Sequence, residues 1–204
     1  MGFYETYILP GCLDKACAIG PISKQREKVV PQARGVVLEI GIGSGHNLPF
    51  YNPNQVSKII GVDPDEKIWE RSAKRRADCT IDTERIGLSG EDIPLDTNMA
   101  DTVVVTYSLC TIPDPVKALK EMSRILKLGG QILFSEHGKA PDAHVHKWQN
   151  RIDPIWKKIA GGCHTGRDIP DLFAQADLKF DTLEEMYIPG PKALSYNYWG
   201  AARP

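Results

Sequence analysis

Short apolar runs alternate along the chain with longer segments whose apolar residues recur every three or four positions. Residues 36–40 (VVLEI), 58–62 (KIIGV), 101–107 (DTVVVTY) and 131–136 (QILFSE) are rich in β-branched or apolar types. Their near-continuous hydrophobicity predicts strands covered on both faces. A weaker strand is expected over 84–88 (ERIGL). Between them, 65–77 sets Ile68 and Trp69 against Ser72 and Ala73 on one helical face. Residues 115–127 begin with Pro115 behind Asp114, an N-cap followed by proline in the first turn. Val116, Leu119, Met122, Ile125 and Leu126 follow helical spacing there, and Gly129-Gly130 are expected to end that helix.

Beyond residue 137 the rhythm changes. HVHKWQNRIDPIWKKIAGGC carries Trp148, Ile152, Ile155 or Trp156, and Ile159 along one side. Asp153-Pro154 in its middle predicts two helices meeting, or a kink. That stripe suits core, a pocket wall or a lid. A short helix capped by Asp168 covers 168–176, and strand-like runs at 178–188 and 195–203 flank the turn-rich PGPKA. Strand and helix in alternation, closed by two strands in hairpin order, predict an α/β fold: a mostly parallel sheet with an antiparallel C-terminal edge.

Composition narrows the partners. The 204 residues suit one domain, with 1–34 as a helical lead-in and 138–170 as a helical insert. A formal net charge of −1 gives no reason to expect nucleic acid. Five cysteines without a CxxC pair fit a reducing, cytoplasmic setting rather than a disulfide framework. His144, His146, Cys163 and His164 (HxH…CH) match no closed tetrahedral pattern, so no metal is expected.

The chemistry concentrates in VVLEIGIGSGHNLPFY, residues 36–51. A strand, a glycine-rich turn and a helix start form a general nucleotide-binding device. The third glycine of a dinucleotide fingerprint comes one residue early here, with His46 in its place, and no GK[ST] of a phosphate loop follows. Asp63, at the end of the second strand, can accept hydrogen bonds from ribose hydroxyls or cap the next helix.

The E-x-G-x-G-x-G spacing of Glu39, Gly41, Gly43 and Gly45 resembles motif I of class I S-adenosylmethionine (SAM) methyltransferases. GLSGEDIPL (87–95) resembles their adenine-binding segment, and VVVTYSLCTIPDPVKALKEMSRILKLGG their block after strand four. The resemblance implies a Rossmann-like seven-stranded sheet with helices on both faces. It also implies a SAM site built from Glu39, Gly41, Ile42, Gly43, Gly45, Asp63, Pro64, Gly90, Glu91, Asp92, Thr106 and Tyr107. Glu39 would meet the cofactor's ammonium group and Asp63 its ribose. Ser89 stands where the family often has Asp.

Within the type 11, UbiE-like subgroup, GHNLPFY, EH at 136–137, RIDPIW and GGCHTGRDIPDLF are similar to the animal alkyl-thiol S-methyltransferases and their bacterial relatives. Some bacterial phospholipid N-methyltransferases are similar too. The implied acceptor is a small thiol, with a phospholipid or quinone-type lipid, or SAM binding without turnover, as alternatives. The animal proteins carry a membrane-anchoring N-terminal segment; MGFYETYILPGCLDK does not read as one, so no stable membrane anchor is expected. Tyr4 and Tyr7 resemble residues that fold over the cofactor in related enzymes. A thiol reacts as its thiolate, so a base or orienter is needed. The candidates are His137 and Tyr107, with Ser108 and His164 behind them, and Cys163 as a possible nucleophile.

Overall fold

A computed structural model describes residues 4–204. Seven strands join one sheet: β1 (Gly35–Ile40), β2 (Val56–Val62), β3 (Asp82–Ile86), β4 (Ala100–Thr106), β5 (Leu126–His137), β6 (Lys179–Tyr187) and β7 (Tyr196–Arg203). Their order is β3-β2-β1-β4-β5-β7-β6. The first five run parallel, and β7 lies antiparallel between β5 and β6. The fold class expected from the alternation holds, including the antiparallel C-terminal pair.

The continuous apolar strands are explained by their two covered faces. Val103 and Val105 pack with Leu119 and Met122 of α5 (Pro115–Ile125) and Phe173 of α7 (Ile169–Gln175). Val104, between them, points to the other face, against Val29 of α2 (Gly20–Val29). Alternation along one strand thus serves two cores. A turn of π-helix at Tyr4–Ile8 and α1 (Leu9–Cys17) precede α2.

Three local expectations change. The helix expected over 65–77 is broken into α3 (Glu66–Glu70) and α4 (Ala73–Asp78). Buried Ser72 sits at the break, its hydroxyl donating to the Trp69 carbonyl at 2.6 Å and accepting from Arg76 Nε at 2.7 Å. Such side-chain back-bonding competes with the helix ladder. Gly129-Gly130 do not end α5, which stops at Ile125. They lie inside β5, where Gly129 has φ +80° and a Cβ on Gly130 would meet the Asp101 carbonyl at 2.8 Å. The pair lets β5 approach β4 where their register shifts.

The third change is that α6 (Ala143–Ile159) runs as one helix through Pro154. Asp153 does not cap it; its carboxylate accepts from the Thr165 amide at 2.7 Å and holds His164 Nδ1 at 2.8 Å. Buried Gln149 holds the same loop from the preceding turn, donating to the Thr165 and Gly138 carbonyls at 2.9 Å each. Both halves of α6 are therefore fastened to one segment. The expected apolar stripe is split: Trp148, Ile155 and Ile159 are exposed and Ile152 and Trp156 half-buried, while Val145 and Gln149 face inward. Among the described residues no helix is long and apolar enough to cross a membrane.

Candidate active site

A cavity of about 720 Å³ opens at the carboxyl ends of β1, β2 and β4. That volume falls in the range of small-molecule sites, roughly 300–1,000 Å³. It also lies where strand order reverses around β1, the usual ligand position in open α/β sheets. Gly41, Ile42, Gly43, Asp63, Pro64, Gly90, Thr106 and Tyr107 line it, as does Glu39.

The glycine loop is held open by its own backbone. Gly41 has φ +70°, and a Cβ there would stand 2.0 Å from Ser108 Oγ. Gly43, at φ +49°, donates its amide to Asp63 Oδ2 at 3.0 Å. The other Asp63 oxygen accepts the Asp65 amide at 2.8 Å, and Asp65 is the residue that caps α3. Asp63 is therefore no helix cap. A carboxylate has about four acceptor positions, so two remain for hydroxyl donors.

Glu39 is buried, accepting from Asn47 Nδ2 at 3.0 Å and from the Tyr51 hydroxyl at 2.7 Å. Burial pushes its carboxyl up to about 7 against the opposing effect of those two bonds. A buried carboxyl poised at neutral pH is suited to a cationic ligand group, which would hold it ionised. A glycine cradle, two carboxylates with acceptor capacity and a cavity of this size fit a cofactor with an ammonium group and a ribose.

Three predicted contacts lie off the cavity lining. Gly45 serves the loop itself: at φ +76°, a Cβ there would press on Leu48 and Ser72. Glu91 ties its segment to α5, accepting from the Ser89 hydroxyl at 2.6 Å and the Asp114 amide at 2.7 Å. Asp92 is likewise not among the lining residues, and Ser89 takes its place. The acidic pair reads as ligand-facing in a linear pattern, but the turn after β3 aims it at the next helix.

Residues of α1 and α2 complete the wall. Asp14 accepts from His46 Nε2 at 3.0 Å and from Arg75 Nη1 at 3.4 Å, clamping α1 onto the glycine loop. Burial lowers His46 to about 4, so this is a neutral imidazole donating a hydrogen bond. Arg26, also buried, lines the cavity, donates to the Cys17 carbonyl at 2.8 Å and lies 5.1 Å over the Tyr107 ring. Nothing near the motifs marks Asp14. Arg26 had a weak signal, a charge on the apolar face of α2 beside Val29 and Gln25. Tyr4 reaches the Ile159 carbonyl at 2.7 Å, and Lys67 lies 4.6 Å over the Tyr7 ring.

Beyond Tyr107 lies a second group. Tyr107 itself takes φ +54° as the chain leaves β4, and its hydroxyl donates to Asn197 Oδ1 at 2.6 Å. Burial holds that phenol well above its ordinary range, so Tyr107 orients and does not accept a proton. Its ring stacks on His137 with centroids 6.4 Å apart. His137 Nε2 meets Cys163 Sγ at 3.3 Å, and Cys110, His137 and Cys163 bring their ligand atoms within 4.8 Å of one another. The neighbouring Cys163 thiol and the His137 ring hold the Cys110 thiol well below its usual range. His137 is raised, burial opposing the pull of Cys110 and Glu136. Glu136 accepts the amides of Ser108 at 2.8 Å and Leu109 at 3.1 Å, fixing the turn that carries Cys110.

His137 is thus no isolated base; it belongs to a thiol–imidazole cluster that includes Cys110, a residue no motif singled out. Ser108 Oγ donates to the Thr106 carbonyl at 3.1 Å, and His164 is engaged by Asp153. His146 pairs with Asn150 rather than with Cys163, so the HxH…CH residues do not form one group.

Residues 38–134 match the family described as a methyltransferase domain. The match runs from β1 into β5. Thiol S-methyltransferase TMT1B of Rattus norvegicus is 36% identical over 136 residues, covering 65% of this chain and 55% of that protein. Phosphatidylethanolamine N-methyltransferase of Cereibacter sphaeroides is 27% identical over 124 residues, 58% of this chain and 60% of that one. The chain therefore spans less than two thirds of either relative. A geranyl diphosphate methyltransferase solved in complex with SAM superposes with a TM-score of 0.70 at 17% identity, over 89% of this chain and 84% of that one. At that identity the likeness is one of fold, and it places the methyltransferase domain on the Rossmann-like sheet described above.

Proposed function

We propose that this protein transfers the methyl group of SAM to a small thiol. The observation that carries it is the junction of two environments at the end of β4. On one side lies the glycine cradle with Glu39 and Asp63; on the other lies the Cys110–His137–Cys163 cluster, next to Tyr107. Glu39 is assigned to the cofactor's ammonium group, Asp63 to its ribose, and the Gly90 segment to its base. The bound cofactor supplies an electrophilic methyl carbon on a sulfonium. The acceptor sulfur forms the new S–C bond, the old bond's electron pair stays with S-adenosylhomocysteine, and the acceptor's proton leaves at the cluster. The protein's part is alignment and exclusion of water. Residues 1–204 act as one domain, with 138–170 over the acceptor end. The five free cysteines suit a reducing, cytoplasmic setting.

A lipid acceptor is the second reading. The exposed Trp148, Ile155 and Ile159 of α6 favour it, together with the phospholipid specificity in the name of the bacterial relative. The deciding experiment incubates methyl-labelled SAM with the protein, ethanethiol and a phospholipid extract, and counts label in volatile, aqueous and lipid fractions. Label in the volatile fraction is expected. Label confined to lipid would transfer the assignment to a lipid methyltransferase, and none in any fraction would leave a cofactor-binding protein.

A further inference from the structure

We propose that Cys110, His137 and Cys163 form a three-ligand site for a thiophilic divalent cation, Zn²⁺ foremost, whose fourth position takes the acceptor's sulfur. The acceptor clause rests on the thiol reading above; the site itself rests on geometry. Three elements far apart in sequence deliver two thiols and an imidazole: the turn after β4, the end of β5 and the loop after α6. In a tetrahedral zinc site, bonds of about 2.3 Å to sulfur and about 2.0–2.1 Å to nitrogen put S···N near ~3.5 Å and S···S near ~3.8 Å. The Cys163 Sγ to His137 Nε2 separation is 3.3 Å, and all three ligand atoms lie within 4.8 Å of one another. Closing them on one ion requires changes of about 1 Å or less in these separations.

The surroundings are those of a positioned ligand set. The backbone on both sides of Cys110 is fixed, Glu136 holding the amides of Ser108 and Leu109, and Arg167 Nη1 donating to the carbonyls of Leu109 (2.5 Å) and Ile112 (2.6 Å). The His164 amide donates to the Cys110 carbonyl at 2.9 Å, which fastens the Cys163 loop to the Cys110 turn. Two buried polar atoms beside the group, Glu136 Oε2 and His137 Nδ1, have no hydrogen-bond partner. Two sulfurs and one nitrogen select zinc-like ions over magnesium or calcium, which need oxygen. Three protein ligands leave one position free, the arrangement of a catalytic rather than a structural site. Tyr107, Ser108 and Thr111 flank Cys110 and Gly161 precedes Cys163, and all four line the cavity, so the ligand set adjoins it. A thiol binding there would release its proton to solvent and sit as a metal-bound thiolate.

The test uses the whole reduced chain, with its five thiols verified by count. Zinc content after exposure to Zn²⁺ and desalting should reach one ion per chain. Co²⁺ should give a thiolate-to-metal charge-transfer band and tetrahedral visible bands, which ethanethiol shifts. Cys110→Ser and Cys163→Ser should each abolish or blue-shift the charge-transfer band, while Cys12→Ser, exposed and outside the cluster, should leave it intact. Wild-type protein that takes up neither ion would overturn the site, with no appeal to a variant's folding. Bands that ethanethiol leaves unchanged would overturn the acceptor clause. Intact, thiol-sensitive bands with no methylation of thiols would fall on the proposed function alone.

Discussion

The two ends of the candidate site are built differently. The proposed cofactor end has its cradle and both carboxylates within 25 residues of chain, from Glu39 to Asp63, shaped by backbone geometry at Gly41 and Gly43, while α1, α2, Gly90 and Tyr107 complete its wall. The proposed acceptor end, beside the cavity, is made by side chains from three segments that meet only in the folded protein: Cys110, His137 and Cys163. The first is a shape that a short pattern can encode, and it is correspondingly general. The second specifies chemistry and depends on the register of β4 against β5 and on the loop that α6 delivers.

That contrast can be tested by substitutions that affect one end and leave the other. His137→Ala should lower kcat by about 10³-fold, within the range for a lost proton-transfer or activating group, and leave SAM affinity within about twofold. Steady-state kinetics beside direct cofactor titration would show it; equal losses in both would mean that the two ends are not separable. Gly41→Val should do the converse, weakening cofactor binding by about 10²-fold. A residue with a Cβ at φ +70° bears about 1–2 kcal/mol of strain, to which contact with Ser108 adds. Unchanged affinity by calorimetry would remove the glycine cradle from the cofactor site.

A smaller effect should appear in pH. Glu39 titrates near 7 in the free protein, and a cationic ligand group binds its ionised form. Cofactor binding should therefore release a proton below pH 7, and affinity should fall about tenfold per unit as pH drops beneath that value. Above 7 the Glu39 contribution should be flat. Glu39→Gln should abolish the slope. A slope that survives in the variant would mean another group carries it. Smallest of all should be Trp148→Ala. That side chain is 58% exposed, so turnover with a water-soluble thiol should stay within about twofold. A large loss confined to lipid acceptors would bring the outer face of α6 into the acceptor site.

Much of the sheet was legible because strands buried on both faces leave continuous apolar runs, and Val103, Val104 and Val105 show why: neighbours serve opposite cores. Element ends were less legible. Ser72 breaks a helix by a hydrogen bond to its own preceding turn, and Gly129-Gly130 make a bulge instead of a cap. A glycine pair serves either purpose, and only the adjacent β4 decides between them. Of the expected cofactor contacts, Asp63, Gly41 and Gly43 line the cavity, whereas Gly45, Glu91 and Asp92 do not; where Glu91 points depends on where α5 begins.

Local sequence by itself determined the alternation of strands and helices, the glycine turn after β1 and the carboxylate at the end of β2. Each is set by backbone conformation and burial over a few residues. Tertiary structure alone decided that Asp14 would clamp α1 to the glycine loop, that Arg26 would face the cavity, and that Cys110 would meet His137 and Cys163. These are contacts across 26 to 81 positions of chain, and no local periodicity records a distance that packing creates.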